Sequence, residues 1–93
     1  MAHKKVKTEA VLCRRAGGVR VEYRLFYEPD TGYSAEVRTA KNAAYLRSFS
    51  ADREEAGHLF SLLCAHAVFP AHLQEVYADL RSAVRREKER EYL

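Results

Sequence analysis

The chain has 93 residues, of which 47% are hydrophobic and 31% charged. This composition is typical of a folded globular protein rather than a disordered or membrane-spanning one. A chain of this length fits one domain, 1–93, and buries only about 60 to 65% of its unfolded surface, which excludes a deep enclosed substrate cavity. The formal net charge of +3 is lower than nucleic-acid-binding proteins usually carry.

The cysteines and the N-terminus indicate the compartment. Cys13 and Cys64 lie far apart without a paired spacing, which favours free thiols in a reducing environment over a disulfide framework. The first residues lack the apolar stretch of a signal peptide, and no segment approaches membrane-spanning length. We therefore expect a cytoplasmic protein that does not enter a membrane.

Two alternating segments, 5–15 and 19–27, predict a β-hairpin. Gly17 and Gly18 between them accept the positive φ of a two-residue turn. If Ala16 faces Val19, several further pairs follow, and the apolar rows of both strands share one side of the sheet. The expected pairs are Leu12 with Tyr23, Ala10 with Leu25, Val11 with Arg24, and Glu9 with Phe26. The expected apolar row of the first strand is Val6, Thr8, Ala10 and Leu12.

The next turn, Glu28–Gly32, contains the proline, aspartate and glycine that favour reverse turns. Alternation from Tyr33 to Thr39 predicts a third strand, with Tyr27 and Tyr33 paired beside the loop. The segment 44–49 predicts a fourth, short strand less clearly, because Leu46 and Phe49 are three residues apart rather than two.

The apolar spacing becomes helical after Ser50. The Ser50 hydroxyl is predicted to cap a first helix, and Pro70 predicts a bend followed by a second helix. The first apolar stripe comprises Ala56, Leu59, Phe60, Leu63, Cys64 and Ala67, and the second comprises Leu73, Val76, Tyr77, Leu80 and Val84. The residues after Ala83 are charged on all sides and predict a solvated helical extension.

These elements predict an α+β fold, an antiparallel meander of three to four strands with two C-terminal helices packed on one face. The expected ranges are a tail 1–4, a sheet 5–49, two helices 50–84 and a charged extension 85–93. The predicted core contains Leu12, Val21, Tyr23, Leu25, Val37, Leu59, Leu63, Leu73, Val76 and Leu80.

The helix starts also carry a resemblance. The segment 49–54, Phe-Ser-Ala-Asp-Arg-Glu, precedes a leucine-rich helix and then Phe-Pro-Ala-His-Leu at 69–73. The order and these starts resemble a family of short bacterial cytosolic proteins known only as a domain of unknown function, although Ala51 and Gly57 depart from its pattern. The resemblance implies the same fold order and a bacterial origin, and it implies no activity.

No motif indicates catalysis or a cofactor. Ser50 with Asp52 is better explained as a helix start, Cys64 lies on an apolar stripe, and Gly17-Gly18 lacks a phosphate-binding pattern. His58 and His66 are too far apart along one helix to share a metal. Convergence of His66 and His72 with Cys64 across the bend lacks the usual zinc spacing. We expect neither an enzyme nor a metal site.

The sheet face opposite the core supplies a candidate interaction surface. It mixes charges with apolar side chains, of which Val11 and Phe26 are predicted diagonal neighbours beside arginines, a combination enriched at protein interfaces. Scattered surface hydrophobes remain the alternative explanation. The candidate residues are Val11, Cys13, Arg24, Phe26 and Arg38.

Two functions follow as hypotheses. The first is a non-enzymatic accessory or regulatory module that binds another protein or itself, through this face or a free sheet edge. The second is weak nucleic-acid binding by the Arg/Lys-rich sheet face and the N-terminus, with Phe26 or Tyr45 as a stacking platform. The cations considered for phosphate contacts are Lys4, Lys5, Lys7, Arg14, Arg15, Arg20, Arg24, Arg38 and Arg47.

Overall fold

A computed structural model describes residues 6–91 of the protein, with side chains to residue 89. Within this range, four strands form one antiparallel sheet in the order β1-β2-β3-β4, followed by two helices. The elements are β1 Lys7–Ala16, β2 Val19–Glu28, β3 Gly32–Arg38, β4 Ala43–Ser50, α1 Arg53–Ala65, a 3-10 turn Pro70–His72, and α2 Leu73–Glu91. The α+β fold predicted from the sequence is confirmed. The expected tail 1–4 and the last two residues of the extension lie outside the described residues.

The β1–β2 hairpin has the predicted turn and most of the predicted register. Gly17 and Gly18 have φ values of 58° and 80°, as a two-residue type I′ turn requires. Ala16 pairs with Val19, and the pairs of Leu12 with Tyr23 and of Val11 with Arg24 follow. The turn and the apolar rows therefore select the same register.

A β-bulge at Glu9 corrects the predicted start of β1. Thr8, rather than Glu9, pairs with Phe26, while Ala10 pairs with Leu25 as expected. A bulge inserts one unpaired residue, so the side chains before it change faces. The expected apolar row is therefore wrong at Thr8, which shares the side of Phe26 and not that of Ala10.

The β2–β3 turn brings two tyrosine rings together. Gly32 has a φ of 80°, and the ring centroids of Tyr27 and Tyr33 lie 5.0 Å apart, which confirms the predicted pair. A Cβ built on Gly32 would lie only 2.9 Å from the backbone oxygen of Ser50, so this turn packs closely against the end of β4.

Strand β4 is present but irregular. Ala35 pairs with Leu46 and Tyr33 pairs with Ser50, so β4 has two more residues than β3 between these pairs. Ser48, in this interval, has a φ of 55°. The irregularity explains how Leu46 and Phe49 can both contact the core although they do not alternate.

The cap of α1 is Asp52 and not Ser50. Asp52 accepts a hydrogen bond from the backbone N–H of Glu55 at 3.0 Å. Ser50 is instead the buried last residue of β4, and its hydroxyl donates to Glu55 Oε1 and accepts from the backbone N–H of Asp52. The predicted cap was therefore two residues early, because Ser50 and Asp52 both have side chains that suit this position.

Two tyrosine hydroxyls connect the helical segment to the sheet. Tyr23 donates to the backbone oxygen of Val68 at 3.0 Å, and Tyr77 of α2 donates to the backbone oxygen of Phe49. The chain turns between α1 and α2 at Ala67, which has a φ of 50°, and Pro70 then begins the 3-10 turn. The predicted bend before Pro70 is confirmed.

The core lies between the helices and strands β2, β3 and β4. Seven of the ten predicted core residues are buried: Val21, Tyr23, Leu25, Val37, Leu59, Leu63 and Leu73. Val76 and Leu80 are half-buried at its margin. Leu12 was wrongly placed, because it is 47% exposed even though its partner Tyr23 is fully buried.

Arg14 gives the outer strand β1 a polar connection to the helices. Its Nη1 donates to the backbone oxygens of Cys64 and Ala65, both at 2.8 Å. These carbonyls belong to the last turn of α1, where a cation is electrostatically favourable, and the Cys64 oxygen also accepts from the backbone N–H of Ala67. Arg14 therefore faces the helices and not the opposite side of the sheet.

Candidate interaction surface

The five predicted surface residues lie on the same side of the sheet, which we call the open face. Val11 is paired with Arg24, and Cys13 is paired with Glu22, which in turn pairs with Arg38. Phe26 is paired with Ser34. Directly paired residues of antiparallel strands project to one side, and these alternate with Val21, Tyr23 and Leu25 of the core.

An aromatic pair crosses the open face. The ring centroids of Phe26 on β2 and Tyr45 on β4 lie 6.2 Å apart, within the range of favourable ring contacts. Tyr45 is 46% exposed, and Val11 is 47% exposed. The apolar side chains therefore reach across the sheet from β1 to β4.

Ser34 lies on β3 between these two strands. Its side chain is fully buried, and its hydroxyl has no hydrogen-bond partner in the structure. Burying a hydroxyl without a hydrogen-bond partner is unfavourable, so Ser34 is a destabilising residue at this position of the open face.

Two arginines of the open face are paired with carboxylates on the same face. Arg24 binds Glu22, and Arg38 Nη2 lies 3.4 Å from Glu36 Oε2. These partners are two residues apart along their strands and so share a side. Arg20 donates to the Cys13 sulfur at 3.3 Å. Two of the arginines considered for phosphate contacts thus have carboxylate partners.

Two arginines of this face, with Lys41, also line a groove at one end of the sheet. The groove has a volume of about 740 Å³ and runs between the β1–β2 turn, the β3–β4 turn and the 3-10 turn. Arg20, Arg38 and Lys41 line it together with Glu22. Among the predicted phosphate-contacting cations, Lys4 and Lys5 lie outside the described residues, and Arg14 binds α1.

The histidines at the bend line a smaller cavity. His66, His72 and Asp79 border an open space of about 430 Å³ with Val68 and Leu80. Cys64 is not part of this lining. Between residues 6 and 91, no group of three or more His, Cys, Asp or Glu side chains is arranged to hold a metal ion.

The two thiols occupy different environments. Cys13 is exposed on the open face, whereas Cys64 is half-buried. Burial raises the pKa of Cys64 to about 11, although the nearby Arg14 acts in the opposite direction. Burial also raises the pKa of Tyr23 and of Tyr77. A protonated, shielded thiol is a poor nucleophile, which gives Cys64 a packing role.

Tyr45 is the residue of this surface that the sequence did not assign to the protein-binding patch. It was considered only as a stacking platform, because the fourth strand was weakly indicated and its register was open. The pairing of Glu36 with Tyr45 places it in the same row as Val11 and Arg24. Alternation within 43–47 was the signal that could have found it.

No family model, curated protein or solved structure matches this chain. The resemblance to a bacterial domain family therefore stays a prediction. Among residues 6–91, no helix combines the length and apolar character needed to cross a membrane.

Proposed function

We propose that the protein is a non-enzymatic accessory or regulatory module that binds another protein through the open face of its sheet. The supporting observation is a group of apolar side chains on this face, Val11, Phe26 and Tyr45, which we call the apolar patch and which lies beside the Arg24–Glu22 and Arg38–Glu36 pairs. Aromatic residues and arginine are enriched at protein interfaces.

The geometry of the face favours a flat partner surface. The molecule extends 45 by 43 by 18 Å, and its smallest dimension is that of a sheet covered by one layer of helices. A shallow surface without a deep pocket suits contact with a macromolecule better than enclosure of a small substrate. We expect this contact to form in the cytoplasm, as the two free thiols suggest.

The experiment uses the full chain, as wild type and as variants, to capture proteins from native cell extract. The captured proteins are quantified by mass spectrometry. Tyr45→Arg and Phe26→Glu each place a charge within the apolar patch of Val11, Phe26 and Tyr45. We expect a specific protein to be retained by the wild type and to be reduced about tenfold or more by either substitution, as for a central interface residue.

His58→Arg is the matched control, because His58 is exposed on α1, in the other layer of the molecule. It adds a positive charge as Tyr45→Arg does but leaves the open face unchanged. A set of captured proteins that is the same for the wild type and all three variants would contradict binding through this face. Circular dichroism should show that each variant keeps the native helix and strand content.

The second candidate is weak nucleic-acid binding by the Arg/Lys-rich face and the N-terminus. It is favoured by the groove in which Arg20, Arg38 and Lys41 converge. Affinity for mixed single-stranded DNA and RNA should then fall steeply as salt increases, because counterions compete for phosphates. Lys41→Glu should weaken it further, whereas His58→Arg on α1 should not. No measurable binding at low salt removes this candidate.

A further inference from the structure

Two arginines face each other at the end of the sheet that carries the β1–β2 turn. Arg15 of β1 and Arg20 of β2 are directly paired, so both project to the open face, and both are exposed. Like charges directly opposite each other on neighbouring strands are unfavourable. Among residues 6–89, no carboxylate forms an ion pair with either guanidinium. This end of the sheet therefore carries positive charge that the fold does not balance locally.

The groove of about 740 Å³ opens beside this pair, where β3 stops short of β2. The pairing of β2 with β3 ends at Glu22 with Arg38, whereas β2 begins three residues earlier, at Val19. The groove lies there between the two turns of the sheet and the 3-10 turn. Its volume is within the range of about 300 to 1,000 Å³ that is usual for small-molecule sites. An organic ligand of moderate size therefore fits it.

One part of the groove lining is positively charged. Arg20, Arg38 and Lys41 belong to it, and Glu22 is the acidic member of the same lining. Glu22 already binds Arg24, on the open face. Lys41 is exposed and forms no ion pair with any residue in the described part of the chain. The groove therefore favours an anion with more than one negative charge.

The pairing of Arg38 with Glu36 does not prevent Arg38 from binding such an anion. Its Nη2 lies 3.4 Å from Glu36 Oε2, and the Arg38 side chain is 54% exposed. Ion pairs of exposed side chains contribute little to stability, so the exchange of one anionic partner for another costs little. The guanidinium group also has further N–H donors that a second anion can use.

Another part of the lining is apolar. It is formed by Phe69, Pro70 and Ala71, where the chain enters the 3-10 turn, and by Val19 of β2. Val19 is 42% exposed, and Phe69 is half-buried. Apolar surface that includes an aromatic side chain thus stays accessible within the same groove as the three cations. The two parts together suit a ligand with an anionic end and an aromatic body.

We propose that this groove binds a phosphorylated nucleoside, with its phosphate groups at Arg20, Arg38 and Lys41 and its base against Phe69. Guanidinium groups match phosphate oxygens in charge and geometry, and aromatic side chains stack on bases. A phosphate chain concentrates several charges on adjacent atoms, as three converging cations require, whereas a carboxylate carries only one. The inference goes beyond both functions proposed above, because it needs neither a protein partner nor a polymer.

Titration calorimetry of the full chain at low salt tests the ligand class with three probes. ADP supplies both parts of the ligand, pyrophosphate supplies the phosphates alone, and adenosine supplies the base and sugar alone. We expect ADP to bind at a single site, and the other two probes to bind at least about tenfold more weakly, because each loses one set of contacts. The absence of saturable ADP binding would overturn the proposal. ADP that binds no more tightly than pyrophosphate would overturn it as well.

Substitutions locate the site. Arg20→Gln and Lys41→Gln should each weaken ADP binding about tenfold, since each removes a charged donor to phosphate. Arg47→Gln is the matched control, because it removes an exposed cation of β4 that does not line the groove, and it should leave the affinity unchanged. Phe69→Leu should weaken ADP binding but not pyrophosphate binding, which also shows that the groove is intact. Equal weakening by Arg47→Gln and Lys41→Gln would contradict a site in the groove.

Two short DNA strands separate a free nucleotide from the end of a nucleic acid. A strand with a 5′-phosphate has the proposed chemistry at its end, and the same strand without it has only internal phosphodiesters. We expect ADP to bind more tightly than the unphosphorylated strand. If the 5′-phosphorylated strand binds as tightly as ADP, the site is supported and a strand end is a source of its ligand. Binding of both strands without any binding of ADP would overturn the inference and leave nucleic-acid binding in its place.

Discussion

Strands β1 and β2 are alike in length and pairing but differ in what covers them. Both have ten residues, and they are paired along nearly their whole length. On β2, Val21, Tyr23 and Leu25 are buried, while β1 has no buried residue. Leu12 is 47% exposed and its direct partner Tyr23 is fully buried. The difference shows that burial in this two-layer fold depends on the reach of the helices and not on strand pattern.

The largest expected effect compares a leucine beneath the helices with the leucine beyond them. Leu63→Ala should reduce the free energy of unfolding by about 2 to 5 kcal/mol, because it opens a cavity between the layers. Leu12→Ala should cost less than about 1 kcal/mol, since half of its side chain already contacts water. Urea denaturation of both variants at one low protein concentration measures both changes. Equal losses would contradict the division into covered and uncovered strands.

This division could be predicted from the sequence only in part. Alternation and the Gly17-Gly18 turn were sufficient for the two strands of the hairpin and for their register and faces from Ala10 to Leu25, but not for the start of β1. They could not show that α1 and α2 lie over β3 and β4, because that depends on how two helices fit on a four-stranded sheet. Leu12 satisfies the strand pattern as well as Tyr23 does, and so its exposure was not foreseen.

Local irregularities limited the predictions for the same physical reason. The bulge at Glu9 and the irregular segment around Ser48 each depend on the pairing of two strands, and no single segment encodes them strongly. The candidate surface was accessible to prediction because period-two alternation assigns Val11, Arg24 and Phe26 to one side. The pairing of Arg24 with Glu22 and the contact of Phe26 with Tyr45 depend on side-chain packing that alternation does not specify.

A second comparison concerns two glycines with the same φ angle. Gly18 and Gly32 both have a φ of 80°, so alanine is strained by about 1 to 2 kcal/mol at either position. Nothing lies within 4 Å of a Cβ on Gly18, whereas a Cβ on Gly32 would be 2.9 Å from the oxygen of Ser50. Gly32→Ala should therefore lose about 1 to 3 kcal/mol more than Gly18→Ala.

Gly18→Ala is the matched control for this measurement. It imposes the strain of a positive φ on alanine but adds no contact like that of Gly32→Ala with the Ser50 oxygen. Thermal unfolding of both variants under the same conditions gives the difference directly. Equal destabilisation would mean that β4 moves away without loss. The close packing of the β2–β3 turn against the end of β4 would then contribute little to stability.

The smallest expected effect compares the thiol on the uncovered strand with the thiol near the helix layer. Iodoacetamide at about pH 8 should modify exposed Cys13 at least about tenfold faster than Cys64, because the thiolate is the reactive form. Burial raises the pKa of Cys64 from 9.0 to about 11, so the unfolded chain releases this proton first. The stability that depends on the protonated thiol is complete below about pH 9 and is lost as the pH rises toward 11.

The Cys64→Ala variant should therefore lose less stability than the wild type over this alkaline range, whereas Cys13→Ala should follow the wild type. The raised pKa values of Tyr23 and Tyr77 add a loss of the same sign. The Tyr77 loss is common to all three proteins and cancels in the comparison. The charge of Cys64 is one cause of the raised pKa of Tyr23, so Cys64→Ala also reduces the Tyr23 loss, which acts in the same direction. If Cys13→Ala changed the alkaline slope as much as Cys64→Ala does, the two thiols would have equivalent surroundings, and β1 would be covered in solution.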